Sequence, residues 1–390
     1  MALARPTRPA QMLGSMAYRR RIARIMSQLT YDAATRTTSL RCCRRFVSSS
    51  SSAAAAPPVR LALLGCGGVA EAHLNAAAKF KVPVQVTAAI DLDPARVDVV
   101  AGIAATLSEQ GGVVPAGFRT IDACLAAVGS NVDVVAIFLP HDSHEEAAIQ
   151  MLATDKHVML EKPMAPTVAE CDRIMTAAES HSGVFMLAEN SSFWPEVTRA
   201  KQLLDDGAIG ELVTARSHYY EALNSSPFAD EAEWLGWRKN LAICGGGIVL
   251  DGGQHWLRPL REFMGEVEAV VAVTQRPFDV IEGESLCHAL LRFESGKVAS
   301  YQATVLSKTA RMAHSEDPFF RLIGQNGDIT IAGTSLHGKG SVKLFTNECP
   351  EGKEMMDTSP DAPLGCEYIR PQNSSHEQPN HTGTVHFPAQ

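Results

Sequence analysis

Two rhythms divide this chain. From Val59 to Ala188, short apolar runs alternate with segments of helical period. The runs are Val59–Leu64, Val84–Ile90, Val132–Leu139, His157–Leu160 and Val184–Ala188, with a short strand near Phe118. Apolar on both faces, they read as strands of a parallel sheet. Between them the pattern predicts helices. The first puts Ala72, Ala76 and Phe80 on one face. The others run from Pro94 to about Leu107, Ile121 to Val128, Ser143 to Thr154 with Ser143 as cap, and Thr167 to His181. Strand and helix in alternation predict a doubly wound sheet.

From Glu189 the rhythm changes. A helix, Trp194 to Asp206, precedes long strands at Glu211–Glu221, Glu266–Gln275, Ser285–Glu294, Lys297–Leu306, Phe319–Ile323 and Asp328–Ile331. Turns at Glu294–Lys297 and Gly324–Gly327 join neighbours as hairpins. A helical insert, Glu231 to Met264, interrupts the series. Consecutive strands without crossover helices predict an open, mainly antiparallel sheet. The expected domains are residues 57–189 (α/β), 190–345 (α+β) and a polar tail, 346–390, preceded by an unfolded segment, 1–56.

The first strand runs into Gly65-Cys66-Gly67-Gly68-Val69-Ala70 and then into a helix. That order makes a dinucleotide-binding turn. Gly65 permits the bend, Gly67 lets a pyrophosphate approach the backbone, and Ala70 lets helix and strand pack closely. The helix N-terminus offers unpaired N–H groups to the phosphates. The second strand ends in Asp91, about 26 residues beyond Gly65, where an acid accepts ribose hydroxyls. Asp91 also reads as a helix cap before Pro94. An acid there favours NAD, since it repels a 2′-phosphate; NADP stays open.

Composition changes the picture at the N-terminus. The first 52 residues hold ten Arg, no Lys and one acid, Asp32. Tyr18–Leu29 can form a basic amphipathic helix, and Arg44-Arg45-Phe46 precedes a serine run. This is the composition of an organelle import sequence, with the mitochondrial matrix expected and a plastid as the alternative. The segment carries +9, which leaves −17 on the rest of a chain whose total is −8. So acidic a body argues against nucleic acid and anionic membranes as partners. Nine Cys without a CxxC pair predict no disulfide framework. His376, His381 and His386 lie in the polar tail, and no metal site is expected there or elsewhere.

In doubly wound sheets ligands bind beyond the carboxyl ends of the strands. Gly65, Asp91, Pro140, Glu161 and Lys162 all fall there. Lys162, between Glu161 and Pro163, is placed to touch substrate and move a proton; it also reads as a surface lysine at a strand end. A second block is Gly245-Gly246-Gly247-Ile248-Val249-Leu250-Asp251-Gly252-Gly253-Gln254-His255. In an α-helix Asp251 and His255 share a face, where carboxylate and imidazole can orient one another and relay a proton. They also read as a structural pair, or as two ligands of a metal for which no third is evident. The five glycines suggest close approach to the nicotinamide or substrate.

These blocks together resemble the Gfo/Idh/MocA family of NAD(P)-dependent oxidoreductases. The likeness spans about Val59 to Phe345. It rests on the glycine turn, Asp91–Pro94, Pro140–His144, KHVMLEKP at 156–163, the Asn190 region, GAIGEL at 207–212, Trp237-Arg238 and the second glycine block. The resemblance implies that Lys162 contacts both cofactor ribose and substrate. It implies that Asp251 and His255 bind substrate, one residue of the set transferring the proton. Pro140, His141, His144, Glu161 and Asn190 would join the glycine turn and Asp91 in holding the cofactor. Trp237 and Arg238 would border the substrate. It also implies a homo-oligomer built through the second sheet. The sequence departs from the family at His141, where asparagine is frequent, at Ser192, where a basic residue is, and in the tail, where helices are usual.

The expected activity is hydride transfer between a secondary alcohol of a sugar, polyol or cyclic diol and the nicotinamide. NAD-dependent glycoside cleavage and a non-catalytic nucleotide sensor are the alternatives.

Overall fold

A computed structural model of the 390-residue chain describes residues 57–107, 115–222, 235–306, 318–332 and 340–356. The import-like segment, the tail histidines and the start of the helical insert, 231–234, lie outside the described residues.

The first sheet is built from β1 (Val59–Leu64), β2 (Val84–Ile90), β3 (Ala116–Phe118), β4 (Val134–Ile137), β5 (His157–Glu161) and β6 (Phe185–Ala188). Their spatial order is β3-β2-β1-β4-β5-β6, and every pairing is parallel. The order reverses between β1 and β4, which opens a crevice at their carboxyl ends. The crossover helices are α1 (Gly68–Lys79), α2 (Pro94–Thr106), α3 (Ile121–Val128), α4 (His144–Leu152) and α5 (Val168–Glu179). They cover both faces, giving one apolar core on each side of the sheet.

Two local expectations change. The buried face of α1 is Ala70, Leu74, Ala76 and Ala77, while Ala72 is exposed. Leu74 supplies the large side chain that anchors the helix, and it turns Ala72 outward. Ser143 does not cap α4: a 3₁₀ turn, His141–Ser143, leads into the helix and the Ser143 hydroxyl donates to Asp142 instead.

The second sheet has eight strands. They are β7 (Leu212–Ala222), β8 (Val267–Gln275), β9 (Leu286–Phe293), β10 (Val298–Leu306), β11 (Phe320–Gly324), β12 (Gly327–Ala332), β13 (Ser341–Thr346) and β14 (Cys349–Glu354). The order is β14-β13-β12-β11-β7-β10-β9-β8, antiparallel except for the parallel pair of β7 and β10. The sheet thus runs past residue 345, where the sequence reading ended it. Val342 is buried, but β14 is Cys-Pro-Glu-Gly-Lys-Glu, a polar edge strand without an apolar signature. Met355 N–H donates to the Val342 carbonyl, and Arg199 Nε donates to the Met355 carbonyl at 3.2 Å, tying this edge to α6 (Pro195–Asp205).

The helical insert is broken. A 3₁₀ turn (Gly236–Lys239), α7 (Leu241–Cys244), a π-helical turn (Val249–Gly253) and α8 (Gln254–Met264) succeed one another. Trp256 of α8 stacks on Tyr219 of β7 at 4.2 Å and meets Trp194 edge-on at 5.6 Å. This aromatic cluster seats α8 on the second sheet with its first turn toward the first. Among the described residues no helix is long and apolar enough to cross a membrane.

Candidate active site

The glycine turn is built as its residues dictate. Gly65 adopts φ +91°, and a Cβ there would lie 2.5 Å from the Phe138 carbonyl oxygen. Only glycine fits. Gly67 is the N-cap of α1 and brings no side-chain cap to the helix. A Cβ at Gly67 would meet only the Arg96 guanidinium, at 3.7 Å. The first turn of α1 is therefore bare on the side a pyrophosphate would take. Cys66 contributes main chain rather than thiol. Its N–H donates to Asp91 Oδ2 at 2.8 Å, while burial and Asp91 push the thiol pKa up to about 12. Asp91 Oδ1 accepts the Asp93 N–H at 2.9 Å, and the helix cap is Asp93, not Asp91. So held, the Asp91 carboxylate stands beside the turn with lone pairs left for ribose hydroxyls. The turn and this acid fit a dinucleotide. Arg96, missed in the sequence, puts a cation at the same place.

Lys162 follows β5 directly, and its Nζ crosses to the π-helical turn. It donates to the Asp251 carbonyl at 2.8 Å and to Asp251 Oδ1 at 3.4 Å. Arg238 Nε donates to Asp251 Oδ2 at 2.9 Å, and His141 Nε2 lies 3.6 Å from Oδ1. Burial opposes charge on Asp251, but Lys162 and Arg238, with His141 behind them, hold its carboxyl well below the usual carboxylate range. The Arg238 guanidinium lies over the Trp237 ring at 4.4 Å, and that ring meets His141 edge-on at 4.5 Å. Trp237 and Arg238 form a half-buried wall beside Asp251.

The expected pairing of Asp251 with His255 is not made. The two exchange no hydrogen bond or ion pair. The π-helical turn adds a residue to the repeat, so positions four apart no longer align as they do in an α-helix. The imidazole is held elsewhere. His255 Nδ1 lies 2.9 Å from the Glu189 carboxylate, whose Oε1 also accepts the Ser191 N–H at 2.8 Å. Burial works to raise the Glu189 pKa. The His255 charge and hydrogen bond, with Ser191, outweigh it and bring the value down to about 2. Glu189 was missed, although it follows the last strand of the first sheet, where ligand-facing residues are expected. Ala188 pairs with Glu161, so Glu189 and Lys162 leave neighbouring strands side by side.

The glycines of the second block do not bare the backbone to a ligand, as the sequence suggested. A Cβ at Gly252 would lie 2.4 Å from Tyr219 Oη, and one at Gly253 would lie 2.2 Å from Tyr301 Oη. They let the π-helical turn sit on the second sheet. Glu284, also missed, anchors the start of that turn by accepting the Gly247 and Val249 N–H groups at 2.8 and 3.0 Å.

Two expected cofactor residues stand behind the surface. His144 is 0% exposed, its ring nitrogens 2.8 Å from the Pro163 carbonyl and 2.9 Å from the Leu139 carbonyl. It fastens the loop after β4 to the loop after β5, and burial lowers its pKa. His141 is 2% exposed, with Nδ1 2.9 Å from the Cys244 carbonyl; burial pushes its pKa down to about 4, against the pull of Asp251. Pro140, Glu161 and Asn190 are half-buried at the strand ends, and His73 Nε2 lies 3.3 Å from Glu161 Oε2. At Ser192 the basic group is supplied from α8: Arg258 Nε donates to the Ser192 hydroxyl at 3.0 Å.

Comparison with known proteins places this geometry. Residues 59–189 match the oxidoreductase family's NAD-binding Rossmann fold, and residues 197–330 match the GFO/IDH/MocA C-terminal domain. Levoglucosan dehydrogenase of Pseudarthrobacter phenanthrenivorans is 28% identical over 226 residues, 52% of this chain and 55% of that protein. D-apiose dehydrogenase of Rhizobium rhizogenes is 25% identical over 304 residues, 77% of this chain and 78% of that protein. Against several other curated relatives the chain spans about half of their length or less. Among solved structures, the aldose-aldose oxidoreductase of Caulobacter crescentus, complexed with glycerol, superposes with a TM-score of 0.61 at 24% identity. That match covers 74% of this chain and 81% of the other. The WlbA dehydrogenase of Bordetella pertussis, in complex with NADH and UDP-GlcNAcA, gives 0.61 at 19% identity, over 79% and 85%. With residues 59–189 and 197–330 matched in order, the chain belongs to the Gfo/Idh/MocA family of oxidoreductases.

Proposed function

We propose that this protein is an NAD-dependent dehydrogenase acting on a secondary alcohol of a sugar, a polyol or a cyclic diol. The supporting observation is the convergence of Lys162 and the Asp251–His255 stretch at the carboxyl edge of the sheet that carries the glycine turn. Bound NAD supplies the hydride acceptor. The chain's residues position and move the proton. The turn from Gly65 to Ala70 and Asp91 hold the dinucleotide. Lys162 Nζ has three hydrogens, of which two face Asp251; the third is directed to a substrate oxygen. Both carboxylate oxygens of Asp251 are engaged by cations, so Asp251 orients Lys162 and Arg238 rather than taking a proton. The hydroxyl proton passes to His255 or Lys162. Sugar dehydrogenases among the relatives support this substrate class.

The test is a panel of sugars, inositols and cyclic diols with NAD and NADP, followed by reduced-cofactor absorbance. Accumulating NADH with at least one class is expected. Release of a sugar without net NADH would instead indicate transient oxidation and glycoside cleavage. NADH binding without turnover on any substrate would indicate a sensor.

The second sheet's outer face supports a homo-oligomer. Val271 and Leu290 are cross-strand partners on this face, with Val273 two residues along β8, and they are 74%, 55% and 62% exposed. Apolar rows of this extent suit a second copy of the chain. Sedimentation of the purified protein should give a dimer or larger, and Val271→Glu should dissociate it. The basic segment of residues 1–52 supports delivery to the mitochondrial matrix; a fluorescent fusion of that segment tests it.

A further inference from the structure

His255 is gripped on one nitrogen only. Its Nδ1 meets the Glu189 carboxylate at 2.9 Å, and Nε2 makes no hydrogen bond to the described residues. Glu189 is itself fixed, because Oε1 accepts the Ser191 N–H at 2.8 Å and both side chains are largely buried. An ionised carboxylate can only accept, so the ring hydrogen of a neutral imidazole must sit on Nδ1. Nε2 then carries the lone pair. Lys162 is situated the other way. Its Nζ donates to a carbonyl, which accepts only, and to the Asp251 carboxylate, so both of its contacts use it as a donor.

We propose that Glu189 is a positioning residue that locks His255 in the Nδ1–H tautomer and thereby makes His255 Nε2, not Lys162, the acceptor of the substrate's hydroxyl proton. The proposal rests on the dehydrogenase reading above for its catalytic half only. Lys162 keeps the alcohol oxygen oriented through a donated hydrogen bond. The proton leaves that oxygen for Nε2 as the carbon-bound hydrogen departs with its electron pair to the nicotinamide. The imidazolium so formed lies against the Glu189 charge. One turn along α8, Arg258 is paired with Glu262. Trp194 and Trp256 flank it with apolar rings, at 6.1 and 6.2 Å between centroids.

The experiment is nitrogen NMR of imidazole-labelled full-length protein, followed upward in pH until the imidazole is neutral, with His255→Asn to identify the resonances. In its neutral form, wild-type His255 should show a protonated Nδ1 and an unprotonated Nε2. Glu189→Gln should lose that preference, because the amide can donate to Nδ1, and should lower kcat about 10²–10³-fold with NADH affinity kept. Glu189→Asp should keep the tautomer and recover part of kcat. A neutral wild-type ring protonated on Nε2 instead of Nδ1, or a Gln variant with unchanged tautomer and rate, overturns the proposal. The wild-type spectrum needs no variant and no turnover. A protein inert across the substrate panel but with the Nδ1–H tautomer would keep the positioning role and sink the dehydrogenase reading instead.

Discussion

The ammonium of Lys162 donates to the main-chain carbonyl of Asp251 at 2.8 Å, across 89 residues of sequence. One partner ends a strand of the parallel sheet; the other lies in a π-helical turn seated on the second sheet. The bond joins the carboxyl edge of the first sheet to the second domain. Lys162→Met keeps the side chain's volume and removes the donor. Turnover should fall by about 10²-fold or more, while NADH affinity, read by fluorescence titration, changes little. Unchanged turnover would remove Lys162 from the mechanism.

Asp251 is the counter-charge for two cations, so its removal should matter to folding as well. Asp251→Ala leaves Lys162 and Arg238 half-buried and uncompensated. The expected cost is about 3–5 kcal/mol in urea unfolding. Lys162→Met, which removes a cation and leaves the Arg238 pair, should cost less.

His141 predicts an acid sensitivity. Its folded pKa is about 4, below the ordinary 6.5, because burial disfavours the charged ring. Between those values the unfolded chain binds a proton that the folded chain refuses. Stability is therefore complete above pH 6.5 and falls as the pH drops toward 4, by on the order of 3 kcal/mol from this residue. His144 acts in the same direction. His141→Asn should flatten the loss measured between about pH 7 and about pH 4.5, and leave the His144 share. An unchanged slope would contradict the assignment.

The glycines should separate by role. Gly67→Ala adds a Cβ with room around it, so melting should hardly change while the KM for NAD rises severalfold. Gly252→Ala drives a Cβ into Tyr219 and should cost about 1–3 kcal/mol of stability. Both variants can be checked by calorimetry and cofactor titration.

What the sequence disclosed divides along physical lines. The parallel sheet was legible because its strands are apolar on both faces and separated by helical periods. The places of the glycine turn, Asp91 and Lys162 were legible because each follows the end of a parallel strand. The pairing of Asp251 with His255 was misread because residue spacing assumes an α-helix, and a π-helical turn leaves no trace in apolar periodicity. Glu189 escaped because its partner lies 66 residues away. Strand β14 escaped because edge strands are made polar, which is also how tails look.

The most direct measurement is a crystal structure of the full chain with NADH. The nicotinamide ring should lie within contact of both Lys162 Nζ and His255 Nε2, with the pyrophosphate on the first turn of α1. A ring seated against only one of those groups, or a dinucleotide bound away from Gly65–Ala70, would contradict the shared site.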